Sequence, residues 1–239
     1  VLAAREREAW QESLPARAFL EPTESLPELL ARGRAYALAL PDRPGLAASL
    51  ALALSLAAER TPRRAGYFGN AANLLASLDP DRLGGPERIF ATELAASGVY
   101  AEVGDFAKAF ASLDRAAAAL ERVPDSEWRR PRQLLLFNSR AYFLATAPEP
   151  EDRQPDQALR LARLVLTSGD RLPDGAAATG SAAILDTMAS AWMAAGEAAR
   201  ARRTQALALA LAESVGLEIY LRHYDEFAAA DGGARPSRD

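Results

Sequence analysis

Apolar side chains recur along this chain at helical spacing, in runs broken roughly every fifteen to twenty residues by proline, glycine or aspartate, and no stretch alternates apolar and polar residues as a half-buried strand would. That pattern restricts the fold to the all-α class. The spacing predicts helices near Leu2–Leu14, Leu26–Leu40, Leu46–Arg60, Arg64–Leu78, Glu87–Glu102, Phe106–Arg122, Arg132–Ala145, Pro155–Ser168, Ala177–Ala194, Ala198–Ser214 and Leu217–Ala229. Between them stand stop and start signals such as Asp79-Pro80, Gly84-Gly85-Pro86, Gly104-Asp105, Pro148-Glu149-Pro150 and Gly196. Links this short make consecutive helices antiparallel neighbours. Abundant alanine favours helix and lets such neighbours approach closely.

Composition removes several kinds of chemistry. The 239 residues contain no cysteine and one histidine, His223, so disulfides, thiolate nucleophiles, cysteine-ligated metals and two-imidazole zinc sites are excluded. A formal charge of −4 offers no broad cationic field, and nucleic acid is not the expected partner. The longest uncharged run, Gly45 to Ala58, is too short to span a bilayer and reads as a buried helix. No phosphate loop or nucleophile elbow is present, because Gly84-Gly85-Pro86 and Gly232-Gly233 lack a strand–loop–helix setting. No cofactor, metal or catalytic residue is expected. Arginine far exceeds lysine, a bias of GC-rich bacterial coding. Val1-Leu2-Ala3-Ala4 followed by Arg5-Glu6-Arg7-Glu8 reads either as the end of a removed apolar segment or as an ordinary amphipathic helix. The compartment stays open between the cytoplasm and the soluble part of an anchored protein.

An internal repeat emerges between residues 90 and 215. Ser97, Tyr100, Gly104-Asp105-Phe106, Ala109, Leu113 and Ala116 describe a helix-turn-helix unit over 90–123, and Ala189, Trp192, Gly196, Ala201, Gln205 and Ala208 retrace it over 182–215. Small residues mark where two helices cross closely, and glycine permits the turn. These segments resemble tetratricopeptide repeats. A third copy, 134–167, resembles the variant with a lengthened turn, Ala147 to Gln154, although Arg140 stands where that family has a buried leucine. The resemblance implies a right-handed α-α superhelix, a solenoid of antiparallel helix pairs. Residues 1–89 would supply divergent helical pairs, 216–230 a capping helix carried by Leu217, Leu221, Tyr224 and Phe227, and 231–239 a disordered tail.

The same resemblance places the first helix of each unit on a concave face. Leu94, Gly98 and Glu102, then Asn138, Tyr142 and Thr146, then Asp186, Ser190 and Met193 would then line one groove. Such a mixture of apolar anchors and polar groups suits a peptide or protein segment. The alternative is that the C-terminal helix or the long link fills the groove and these residues only pack. Lys108 falls on a second helix, so the set that clamps a terminal carboxylate in some family members is missing. Arg129, Arg130, Arg132 and Arg140 read as solvated positions near Asp125 and Glu127, and His223 beside Asp225 and Glu226 as a surface pattern. The expected function is a non-enzymatic scaffold or adaptor. Its rival is a helical sensor, or a homo-oligomerising part, of a larger regulatory or membrane-anchored protein.

Overall fold

The structure is a computed structural model that describes residues 64–79, 83, 85–124, 129–168, 176–211 and 217–230. The expected helices before Arg64 and the tail 231–239 lie outside the described residues. Within them the chain is all-α: α1 (Arg64–Ala76), α2 (Pro86–Glu102), α3 (Phe106–Glu121), α4 (Arg129–Thr146), α5 (Pro155–Ser168), α6 (Ala176–Ala194), α7 (Ala198–Leu211) and α8 (Leu217–Ala230). A single 3-10 turn, Pro150–Asp152, interrupts the link between α4 and α5. None of these helices is long and apolar enough to cross a membrane. The described residues fall into two compact units divided after Pro124, between the first and second repeat-like pairs.

In the first unit α2 packs on both α1 and α3. Proline at the start of α2 presets its first turn. The helix stops because Gly104 adopts φ +82°. The Asp105 N–H then donates to the Tyr100 carbonyl at 2.8 Å and the Gly104 N–H to that of Ala101 at 3.0 Å. That pairing satisfies carbonyls the helix end would leave bare. Asp105 starts α3 at once, its Oδ1 accepting from the Lys108 N–H at 3.1 Å. Lys108 Nζ also donates to Asp105 Oδ2 at 2.6 Å, which holds the Asp105 carboxyl below its ordinary range. Ala109, Leu113 and Ala116 of α3 are fully buried, and Ser97 and Tyr100 of α2 are buried with them. The repeat pattern is thus the pattern of the interhelix seam.

The second unit repeats that construction. Gly196 takes φ +78°, Glu197 N–H donates to Trp192 at 2.9 Å and Gly196 N–H to Met193 at 3.0 Å. Ala189, Ala201 and Ala208 are fully buried at the matching seam of α6 and α7. Between α4 and α5 the longer link is closed differently. Gln154 N–H donates to the Leu144 carbonyl at 2.8 Å, and the Arg153 guanidinium binds the carbonyls of Ala147 and Pro148. Leu134, Val165 and Ile184 tie α4, α5 and α6 into one core, with Phe137 against it. Helix α8 then lies on α7 and α6, with Tyr224 and Phe227 buried.

Both turn glycines leave open space where a Cβ would stand, so the backbone angle alone forbids a side chain. Gly104→Ala and Gly196→Ala should each cost about 1–2 kcal/mol in urea unfolding, and asparagine at either site about half as much. Alanine variants as stable as the parent would show that the left-handed turn is dispensable.

Candidate functional site

Four helices of the second unit converge on one buried polar cluster. Asp186 of α6 is 6% exposed. Its Oδ1 accepts from Gln205 Nε2 of α7 at 2.7 Å and lies 2.7 Å from His223 Nδ1 of α8. The Gln205 amide also donates to the Tyr220 carbonyl at 3.0 Å, which fixes which end of the amide is nitrogen. The imidazole is stacked between Tyr142 of α4, at a centroid separation of 6.5 Å, and Phe227, at 6.0 Å. Phe227 and Ala189 share a cluster with Ala201, against which Trp192 and Met193 pack. An aspartate that receives an imidazole N–H can orient a general base. Here no hydroxyl among the described residues hydrogen-bonds His223. The two neighbouring rings and the burial of both partners make the pair a pin that fastens α8 to α6.

The sequence pattern explains why this cluster needs three members. Gln205 occupies the position that the fully buried Leu113 fills in the first unit, and Asp186 the position of Leu94. A glutamine buried at a seam requires an acceptor, and a carboxylate beside it requires a second donor. The first unit inverts the choice one residue away. Glu93, 4% exposed, receives Arg115 Nε at 2.8 Å and a second guanidinium N–H at 2.9 Å, where the second unit has Leu185 and Leu207. This pair sits in a cleft of about 390 Å³ walled by Leu75, Leu78, Leu83 and Tyr100. Burial raises the Tyr100 hydroxyl above its usual value, opposed by Lys108, whose ammonium stands 5.7 Å from the ring centre. Arg115, held by Glu93, is likewise raised. The carboxylate and guanidinium satisfy each other, so the cleft presents no unused charge of its own.

The expected groove residues therefore divide into two sets. Glu102 is exposed and Leu94 and Gly98 half-buried on α2. On α4, Thr146 turns its hydroxyl back to the Tyr142 carbonyl at 2.8 Å, and the Asn138 Oδ1 is buried without a protein donor. Tyr142 meets His223, Asp186 is bonded internally, Ser190 is 6% exposed and Met193 packs beside the cluster containing Phe227. Sequence reasoning missed the role of His223, which is 8% exposed and central to the docking of α8. Its signal was present: His223 lies three to four residues from Tyr220 and Phe227, so all three fall on the buried face of α8. Among the described residues no group of three or more histidine or acidic side chains could hold a metal ion. Comparison with family models, with curated proteins and with solved structures finds no match to this chain.

Proposed function

We propose that this chain is a non-enzymatic interaction module, an array of tetratricopeptide-like helix pairs in a superhelix whose first helices receive a segment of a partner protein. One observation carries the reading: on α2 Glu102 is exposed and Leu94 and Gly98 are half-buried, so that first helix keeps a mixed face open to a partner, whereas Tyr142 and Asp186 are taken up by the chain's own α8. A face that fastens one amphipathic helix has the chemistry to fasten another.

The absence of cysteine makes a site-specific test direct. Single cysteines placed at Leu94 or Glu102 and labelled with a photocrosslinker should trap the same partner from cells of the source organism, while a label at Ala118, exposed on the second helix of that pair, should not. Leu94→Ala, on the accessible face of α2, should weaken the recovered complex by about 1–2 kcal/mol in titration, the range for a contact residue of an interface. Equal trapping from all three positions would place recognition off the first helices.

A further inference from the structure

Arginine is frequent on the helices of the second unit, α4 included, in a chain whose overall charge is negative. Helix α7 carries Arg200, Arg202 and Arg203 and no acid, and α5 carries Arg160 and Arg163 against Asp156 alone. Two of these side chains converge from different helices on one ring: the Arg163 guanidinium lies 5.5 Å from the centre of Trp192 and that of Arg200 4.9 Å. Arg163 makes no ion pair among the described residues, and Arg200 reaches Glu197 only at 3.8 Å, with both side chains half exposed. Beside them Leu164 is 47% exposed and Leu207 58%. Two guanidinium groups steadied on an indole, on helices that also expose leucines, form a positively charged surface that, among the described residues, meets only the long Glu197 contact.

We propose that the Arg163–Trp192–Arg200 surface docks an acidic segment of a partner protein, with leucine-like side chains interspersed among its carboxylates. This rests on the interaction reading above and assigns it a second contact area, on helices α5 and α7. Charge complementarity selects the occupant. Guanidinium forks match carboxylates in pairs, and holding them on the indole removes part of the ordering cost of binding. The exposed leucines supply apolar area that a phosphate backbone would not use. A chain of net charge −4 also repels long polyanions at a distance, whereas a short acidic peptide meets mainly the local patch. The face of Trp192 is taken by the guanidiniums and its body packs with Met193 against Ala189 and Ala201, so it is not a wedge for a bilayer.

The test uses the full chain and a fluorescein-labelled twelve-residue peptide of alternating glutamate and leucine pairs, followed by anisotropy. Saturable binding is expected, weakening about tenfold on going from low to moderate salt and about tenfold or more in Arg163→Glu/Arg200→Glu. The charge-matched control Arg88→Glu/Arg122→Glu, on exposed positions of the first unit, should bind like the parent. Should the reversal fail to fold by circular dichroism, Arg163→Gln/Arg200→Gln takes its place with the same expected direction. Equal weakening by patch and control variants, tighter binding of a single-stranded oligonucleotide or of phosphatidylserine vesicles, or self-association through the patch in light scattering would each overturn the proposal. Peptide binding that survives the patch variants but is lost in Leu94→Asp would overturn it while leaving the first-helix reading intact. Crosslinking that fails at Leu94 and Glu102 alongside a patch-dependent peptide would do the reverse.

Discussion

A chain ending before Leu217 should unfold with a midpoint roughly 15 °C below that of the whole protein, following a loss of about 5 kcal/mol. Helix α8 buries Tyr224 and Phe227, each 6% exposed, with Ala228 and the His223 ring beside them. Burying a side chain of the larger kind is worth about 1.5–3 kcal/mol, and their removal also opens Ala189 and Ala201 and loosens Met193. The expected consequences are lower solubility, stronger binding of a hydrophobic dye and earlier melting by circular dichroism. Because the two compact units divide after Pro124, the transition of the first unit should move less than that of the second. An unchanged melt would show that α8 rests on the unit without supporting it.

The second large effect is expected at Asp186. Asp186→Ala removes the acceptor shared by Gln205 and His223, leaving the glutamine amide with only the Tyr220 carbonyl and the imidazole N–H with no partner. Stranding two buried donors should cost about 3–5 kcal/mol. The informative control restores the apolar logic of the first unit. Asp186→Leu with Gln205→Leu copies Leu94 and Leu113, and His223→Phe continues the stack between Tyr142 and Phe227. That triple variant should lie within about 1–2 kcal/mol of the parent, since replacing a whole buried polar group by packed hydrocarbon is often close to neutral. Strong non-additivity between the single and triple variants in urea unfolding is the signature of a coupled network, even though the Gln205 Oε1 is buried without a protein donor. Additive losses would mean that each side chain acts alone.

How the two variants differ follows from how each contact was encoded. The turn glycines, the alanine seams and the helix ends could be read in advance, because each depends on residues within a turn or two. Gly104 with Asp105, and Gly196 with Glu197, dictate a left-handed stop and an immediate restart whatever lies around them. Observed helix limits accordingly differ by three residues at most from expectation, α4 beginning at Arg129 and not at Arg132 and α7 described to Leu211 and not Ser214. Pro131 is tolerated inside α4 because in the first turn its missing N–H breaks no intrahelical bond.

What the sequence by itself determined is the all-α class, the antiparallel pairing and the small-residue seams, for helical period and turn chemistry are local properties. Only the tertiary structure decided which polar residues are internal. Asp186, Gln205 and His223 are individually ordinary, and their spacing of 19 and 37 residues carries no periodic signal. They become a single object when α8 folds back over α6 and α7 and withdraws them from water together. The same is true of Arg163 and Arg200, which share a tryptophan because α5 and α7 flank the end of α6. A buried charge is tolerated only where donors from several elements meet it, and no run of sequence can specify that meeting without the packing that produces it.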